Sequence, residues 1–122
     1  MIRIATLDDE TQWLTTERII TEQCFESGDY SFSAYNDVDK FLLELKYKEN
    51  DLYLLDMEFP SENGISGLSI GREIKDLYPS AVIIYVTCHA EYAIEAFEVN
   101  AFRYIPKMLL EKKLPEAYKV LE

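Results

Sequence analysis

The fold is decided by the stretch Asp51-Leu-Tyr-Leu-Leu-Asp56-Met-Glu-Phe59-Pro60, in which a run of apolar residues ends at a carboxylate. A short, almost unbroken apolar run bounded by turn formers predicts a strand that is buried on both faces, and such strands are typical of a parallel sheet covered by helices. In open sheets of this kind, ligands bind beyond the carboxyl ends of the strands. Asp56 stands at such an end, so it is the first candidate functional residue.

The composition indicates one acidic domain. The chain has 122 residues, with 23 acidic and 12 basic side chains and a net charge of −11. This charge argues against direct binding of nucleic acid or of an anionic membrane by this segment. No apolar stretch approaches the roughly 20 residues of a spanning helix, and the N-terminus lacks the apolar core of a signal peptide. We therefore expect a cytoplasmic protein without a membrane segment.

Apolar and amphipathic segments alternate along the whole chain. Besides the strand that ends at Asp56, the pattern predicts strands at residues 1–7, 30–35, 81–86 and 102–105, and helices at residues 11–26, 38–48, 70–78, 91–99 and 110–121. This alternation, without repeat or linker, predicts a single doubly wound α/β domain over residues 1–122. Pro115 is expected in the first turn of the last helix, where a missing N–H costs little.

The residues at the strand ends should meet at one edge of the sheet. Right-handed crossovers make the strands parallel, so their carboxyl ends face the same side. Residues found at these ends are Asp8, Asp9, Asp56, Thr87 and Lys107. Converging carboxylates repel one another, but their oxygens suit Mg²⁺, which takes one or two carboxylates and keeps water and phosphate oxygens as its other ligands.

This set of groups can carry phosphoryl chemistry. A carboxylate can attack phosphorus and form an aspartyl phosphate. Thr87 would donate a hydrogen bond to one phosphoryl oxygen, and Lys107 would form an ion pair with another. The alternative for Asp8 and Asp9, taken alone, is that one of them caps the following helix.

Together these residues resemble a known family, the receiver domain of bacterial two-component response regulators. The resemblance covers the whole chain and rests on Asp8-Asp9-Glu10, on Asp56, on Thr87, and on Tyr104 placed three residues before Lys107. A more specific likeness, to receivers that precede a LytTR-type DNA-binding domain, rests on the run Thr87-Cys-His-Ala-Glu-Tyr-Ala-Ile-Glu-Ala-Phe-Glu-Val-Asn-Ala-Phe-Arg-Tyr104.

The resemblance implies both a fold and a function. The fold is CheY-like, that is flavodoxin-like, with a five-stranded parallel sheet in the order 2-1-3-4-5 flanked by five helices. The function is that of a phosphoacceptor domain, which takes a phosphoryl group from a sensor histidine kinase and controls an output, here transcription. Such a domain is not an enzyme, apart from self-phosphorylation by small phosphodonors and autodephosphorylation. The chain would be the N-terminal part of a longer regulator that carries a LytTR-type domain, or a receiver that stands alone.

The resemblance also assigns the site residues. Asp56 would be the phosphoacceptor, and the metal, Mg²⁺ or Mn²⁺, would be bound directly by Asp9, by Asp8 mainly through water, by Asp56 and by the backbone carbonyl of Glu58. Thr87 and Lys107 would each bind an oxygen of the phosphoryl group.

Signalling would follow from a switch between Thr87 and Tyr104, where Tyr104 is the aromatic residue that rotates. The alternative for Tyr104 is a half-buried strand aromatic without such a function. The expected partner surface is the face of the fourth helix, fifth strand and fifth helix, which would bind a second copy of the chain or an output domain. Aromatic area on this face is expected from Phe97, Tyr92 and Tyr118.

Two features depart from the family pattern. Proline usually follows the lysine with a cis bond, whereas here Pro106 precedes Lys107 and Met108 follows it. A non-proline cis bond costs about 2.5–4 kcal/mol, so either this bond is strained or the loop is trans and Lys107 points differently. The loop at residues 59–67 also looks longer than usual. Both features favour the alternative of a degenerate receiver, an interaction module that takes no phosphate.

A second alternative is a haloacid dehalogenase-type phosphatase, in which a nucleophilic aspartate is followed two residues later by another acid, here Glu58. The chain is short for such a catalytic core with its cap, and this interpretation leaves Asp8 and Asp9 without a function. Turnover of a phosphate ester would identify the phosphatase, whereas labelling by a small phosphodonor would identify the receiver.

Overall fold

Five parallel strands form one sheet in the order β2-β1-β3-β4-β5. The computed structural model of the chain describes residues 1–58, 64–88 and 93–121. The strands are β1 Ile2–Leu7, β2 Tyr30–Tyr35, β3 Leu52–Leu55, β4 Val82–Thr87 and β5 Arg103–Pro106. The helices in these ranges are α1 Thr11–Cys24, α2 Val38–Leu45, α3 Gly67–Leu77, α4 Ala93–Glu98 and α5 Leu110–Leu121. The predicted doubly wound α/β fold and its strand order are confirmed.

A hydrophobic core lies on each face of the sheet, and β3 contributes to both. Tyr53 and Leu55 face the side covered by α2, α3 and α4, whereas Leu52 and Leu54 face the side covered by α1 and α5. All four side chains are fully buried, and burial of each stabilises the fold by about 1.5–3 kcal/mol. Because β3 lies between β1 and β4, Asp56 emerges at the middle of the carboxyl edge.

The start of α3 is fixed by a capping box. The Ser66 hydroxyl accepts a hydrogen bond from the Ser69 N–H at 3.3 Å, and the Ser69 hydroxyl accepts one from the Ser66 N–H at 3.0 Å. The N–H of Gly67, the first residue of the helix, donates to the Met57 carbonyl at 2.8 Å. These bonds hold the first turn of α3 against the backbone that follows β3.

Most predicted element boundaries agree with the structure within two residues. The helix predicted at residues 91–99 is observed as α4, Ala93–Glu98, and residues 91 and 92 lie outside the described part of the chain. The same holds for residues 59–63, which belong to the loop predicted to be long. Among the described helices, none has the length and apolar character that a bilayer crossing requires.

Pro115 is not in the first turn of the last helix, so that prediction was wrong. The chain leaves β5 through a 3-10 turn, Lys107–Leu109, and α5 begins at Leu110, which makes Pro115 its sixth residue. The helix includes a full turn before Pro115, because Leu110 and Leu114 are both buried against the sheet. A proline inside a helix costs about 3 kcal/mol, and the burial of this apolar face offsets that cost.

Candidate functional site

A buried lysine lies between two buried carboxylates at the carboxyl edge of the sheet. The Lys107 ammonium is 2.8 Å from Asp8 Oδ2 and 3.1 Å from Asp56 Oδ2, and Glu10 Oε1 lies 3.8 Å away. Asp8, Asp56 and Lys107 are each no more than 5% exposed. The ends of β1, β3 and β5 therefore meet as the strand pattern predicted.

The loop after β5 brings Lys107 inward along a trans path. No peptide bond in the described ranges is cis, so the bond from Lys107 to Met108 is trans. The 3-10 turn that begins at Lys107 directs its side chain into the site and leaves the Met108 side chain 93% exposed. Of the two alternatives for this loop, the structure has the trans path, and Lys107 reaches Asp56 along it.

Burial and neighbouring charges shift the pKa values of Lys107 and Asp8 in different ways. Burial alone lowers the pKa of Lys107, but the hydrogen bond to Asp8 and the charges of Asp56 and Asp8 outweigh it and raise the pKa to about 12. Burial raises the pKa of Asp8 to about 6, even though the hydrogen bond from Lys107 lowers it. The lysine thus stays protonated at neutral pH. Its attraction only partly offsets the desolvation that raises the pKa of Asp8.

Two backbone hydrogen bonds hold Asp56, one to β1 and one from the next residue. Its N–H donates to the Leu7 carbonyl of β1 at 3.2 Å, which continues the pairing of β1 with β3. One carboxylate oxygen, Oδ1, accepts a hydrogen bond from the Met57 N–H at 2.7 Å. The other oxygen, Oδ2, faces Lys107. Glu58 follows as an exposed residue.

The end of β1 carries an acidic cluster. Carboxylate oxygens of Asp8, Asp9 and Glu10 lie within 4.8 Å of one another. Glu10 occupies the position before α1 without forming a side-chain cap, and Asp8 Oδ1 accepts from the Glu10 N–H at 2.9 Å. The interpretation of Asp8 or Asp9 as a helix cap is therefore wrong. Carboxylate oxygens of this kind are the ligands that Mg²⁺ prefers.

Thr87 and Tyr104 lie on neighbouring strands. Thr87 is buried at the end of β4, opposite Pro106 in the pairing with β5, and Tyr104 is half-buried. On the face formed with α4, Phe97 is 87% exposed, as predicted. Tyr118, by contrast, is buried, and its hydroxyl lies 2.8 Å from the hydroxyl of a threonine of α1. It offers no surface to a partner, and Tyr92 lies outside the described residues.

A buried carboxyl group that was not predicted from the sequence lies beneath the site. Glu17 of α1 is fully buried and accepts a hydrogen bond from the Thr6 hydroxyl at 2.6 Å. Burial raises the pKa of Glu17 to about 8; the Thr6 hydrogen bond lowers it, and the charge of Asp8 raises it. The residues of α1 that recur at helical spacing do not include this position; they are Trp13, Thr16, Ile20 and Cys24. The signal available in the sequence is a threonine inside the apolar run of β1, which needs a buried partner.

Trp13 is a second residue that the sequence did not assign to the site. Its half-buried ring lies on α1, and the Lys107 ammonium is 5.4 Å from the ring centroid. This distance is within the range of a cation–π contact. The indole therefore lies close enough to sense changes in the charge of the site.

The fold and the acidic edge define a CheY-like α/β domain. Residues 5–119 match the family model described as the response regulator receiver domain. The chain belongs to this family of signalling domains, whose members generally bind Mg²⁺ in the phosphorylation site. This membership confirms the predicted receiver and decides against the haloacid dehalogenase alternative.

Similar curated proteins include two kinds of regulator. The transcriptional regulatory protein LytR of Staphylococcus aureus is 35% identical over 81 residues, which cover 66% of this chain and 32% of LytR. The sensory transduction protein LytT of Bacillus subtilis is 24% identical over 119 residues, which cover 98% of this chain and 47% of LytT. The chain thus spans less than half the length of these relatives.

Solved receiver structures have the same fold. The response regulatory domain of mrkE from Klebsiella pneumoniae has a TM-score of 0.86 at 21% identity, covering 98% of this chain and 94% of that one. The CheY-like receiver domain protein from Methanospirillum hungatei has a TM-score of 0.83 at 24% identity, and the match covers 99% of this chain and 93% of that one. The response regulator TrrA from Thermotoga maritima, in complex with Mg²⁺ and BeF, has a TM-score of 0.79 at 27% identity over the whole of both chains.

Proposed function

We propose that Asp56 accepts a phosphoryl group, and that the chain is an active receiver rather than a degenerate one. The observation that carries this proposal is the buried Lys107 ammonium, 3.1 Å from Asp56 and 2.8 Å from Asp8. A buried ion pair is costly to form, so a merely structural loop gains little from it. A phosphoryl group on Asp56 would bring negative charge to the point where this cation lies.

The transfer would take place between the Asp56 carboxylate and a phosphodonor. An Asp56 oxygen attacks phosphorus, a new O–P bond forms, and the bond between phosphorus and the donor breaks, so that the donor group leaves with the electron pair. In the cell the donor would be a sensor histidine kinase, and in vitro a small molecule such as acetyl phosphate. Lys107 would form an ion pair with one phosphoryl oxygen, and the Thr87 hydroxyl would donate to another.

The metal would be held at the acidic cluster. Asp9 would bind Mg²⁺ or Mn²⁺ directly, Asp8 mainly through water, and Asp56 and the Glu58 carbonyl would complete the protein ligands. The donor set fits, since it consists of oxygens, and two of its carboxylates, those of Asp8 and Asp9, lie within 4.8 Å of each other and of Glu10. When bound, the ion supplies positive charge that offsets the charge of the arriving group. Glu10, whose carboxylate also joins the cluster, would attract the cation.

The output would be read on the face of α4, β5 and α5. The phosphoryl group would carry roughly −1.5 to −2 charges where the Asp56 carboxylate carries −1, and it would draw the Thr87 hydroxyl inward and let Tyr104 rotate behind it. The exposed Phe97 would then contact a second copy of the chain or an output domain. LytR is a transcriptional regulatory protein and LytT a sensory transduction protein, which supports a transcriptional output, and the TrrA complex supports the use of Mg²⁺. The protein would act in the cytoplasm, and a LytTR-type DNA-binding domain would carry the output.

Labelling by acetyl phosphate with Mg²⁺, followed by intact mass spectrometry, tests the proposal. We expect wild type to gain one phosphoryl group and Asp56→Asn to gain none. Asp51→Asn is the matched control, because Asp51 lies before the same strand at the opposite edge, paired with Arg3. A wild type that takes no label while binding Mg²⁺ would identify the degenerate receiver instead.

A further inference from the structure

Tyr85 of β4 reaches across the core to the first turn of α3. Its side chain is fully buried, and its hydroxyl donates a hydrogen bond to the Gly67 carbonyl at 2.8 Å. Burial strongly raises the pKa of Tyr85, so the hydroxyl keeps its proton and remains a donor. This bond links the middle of the sheet to a helix that begins near the site.

Gly67 in turn is tied to the backbone that follows the phosphoacceptor. Its N–H donates to the Met57 carbonyl at 2.8 Å. A Cβ atom at this position would collide with the carbonyl oxygen of Asp56 and with the Cα of Met57. The first residue of α3 therefore lies directly against the peptide after Asp56, with no room for a side chain between them.

The space for the Tyr85 hydroxyl comes from a second glycine. Gly71 lies one turn further along α3, and a Cβ atom there would collide with the hydroxyl oxygen of Tyr85 and contact Val99. The hydroxyl thus lies against a helix surface without side-chain atoms. The tyrosine and the glycine match each other in shape.

On the sheet, Tyr85 lies between the phosphoacceptor strand and the proposed switch residue. It is the register partner of Leu55, which precedes Asp56, and of Tyr104 on β5. Register partners in a parallel sheet point to the same face, and Tyr104 packs against the core cluster that contains Tyr85. The Tyr85 side chain therefore adjoins Tyr104 and also holds the start of α3 next to Asp56.

We infer that Tyr85 is a positioning residue that couples the backbone after Asp56 to Tyr104 through its hydrogen bond to Gly67. The inference rests on the proposed function, because it takes Asp56 as phosphoacceptor and Tyr104 as switch. A displacement of the Asp56–Met57 peptide moves Gly67, and the Tyr85 ring follows through the hydrogen bond. The ring then changes the space open to Tyr104 on the neighbouring strand.

Tyr85→Phe is the test, with Tyr53→Phe as its matched control. Tyr53 is also a fully buried tyrosine on the same face, but its hydroxyl accepts from the Asn50 N–H at 3.0 Å, near the other edge of the sheet. Each variant loses one buried hydroxyl with its hydrogen bond. A purely structural function of Tyr85 thus predicts similar effects of the two substitutions on the site.

The readouts are the amide NMR shifts of Met57 and Gly67, the ring shifts of Tyr104, and the Mg²⁺ affinity. We expect Tyr85→Phe to move all of these shifts and to weaken Mg²⁺ binding about fivefold, the equivalent of one typical hydrogen bond. Tyr53→Phe should change none of them. Equal effects of the two variants, or unchanged Met57 and Tyr104 signals in Tyr85→Phe, would overturn the inference.

A second pair of variants tests the contact with Gly71. Gly71→Ala should displace the Tyr85 hydroxyl and move the same signals, and the shift should be smaller when Gly71→Ala is introduced into Tyr85→Phe, because the nearest atom is then absent. Additive effects would contradict the coupling. If wild type takes no phosphoryl label, the proposed function fails. The shift and affinity measurements would still test whether Tyr85 couples the backbone after Asp56 to Tyr104.

Discussion

The ammonium group of Lys107 lies 3.1 Å from Asp56 Oδ2, although the peptide bond that follows Lys107 is trans. The 3-10 turn after β5 accounts for this, because it directs Lys107 inward and Met108 outward. A proline after the lysine is therefore not required to bring the cation to Asp56. The buried charges of the site stabilise one another, and removing one should affect the rest.

Lys107→Met should expose this dependence in buffer without metal. The substitution leaves two buried carboxylates without their cation, and we expect the free energy of unfolding at neutral pH to fall by about 3–5 kcal/mol. The pKa of Asp8 should rise above its value of about 6, because Lys107 lowers it. Chemical denaturation and an NMR titration of Asp8 measure both effects. Lys112→Met, an exposed position on α5, is the control, and a Lys107 variant that behaves like it would contradict the ion-pair account.

Glu17 should make stability depend on pH. Its pKa is raised from 4.5 in the unfolded chain to about 8 in the folded one, so between these values the folded state holds a proton that the unfolded state has lost. The stabilisation is complete below pH 4.5 and is lost as the pH rises through 8.

Glu17→Gln should remove this dependence. Relative to the variant, wild type should lose on the order of 4 kcal/mol of unfolding free energy between pH 5 and pH 9. Urea denaturation across this range measures the difference. Glu22→Gln, at an exposed position of the same helix, should follow wild type. If Glu17→Gln shows the same pH profile as wild type, the buried carboxyl is not protonated as proposed.

Mg²⁺ should change the fluorescence of Trp13. The indole ring is 5.4 Å from the Lys107 ammonium, so a cation entering the acidic cluster alters the charge around it. We expect the Mg²⁺-induced change to be lost in Asp9→Ala and retained in Asp29→Ala, which alters an exposed carboxylate at the opposite edge of the sheet. An unchanged titration in Asp9→Ala would remove Asp9 from the proposed metal ligands.

Thr87→Ala should separate phosphorylation from signalling. The variant keeps Asp56 and Lys107 and should still take a phosphoryl group, but it lacks the hydroxyl whose inward movement would let Tyr104 rotate. A ligand shifts an equilibrium only by its differential affinity for the two states. Sedimentation with a phosphoryl mimic should therefore show association of wild type and little association of Thr87→Ala. A mimic that leaves both the oligomeric state and the Tyr104 environment of wild type unchanged would refute the switch.

The central strand and the residues at the strand ends could be predicted because local patterns determine them. The apolar run before Asp56 predicts burial on both faces, and parallel strands must bring Asp8 and Lys107 to the same edge. The relationships that sequence did not reveal are tertiary. Glu17 lies in a helix whose apolar spacing looks complete without it, and only packing against β1 shows that it is buried beside Thr6.

The two wrong predictions near the C-terminus have a common physical cause. A helix-breaking residue and a large aromatic were each judged by local preference, which packing overrides. Leu110 and Leu114 extend the helix N-terminal to Pro115, and Tyr118 is buried because its hydroxyl meets a hydroxyl partner on α1. Neither contact is visible in the local pattern.

The central claim is that Asp56 is the phosphoacceptor, and locating the label tests it most directly. Wild type should be incubated with acetyl phosphate and Mg²⁺, digested at acid pH and fragmented by tandem mass spectrometry. The account predicts one phosphoryl group, on Asp56, and none on Asp8, Asp9 or Glu58. A label on any other residue, or the same label in Asp56→Asn, would contradict it.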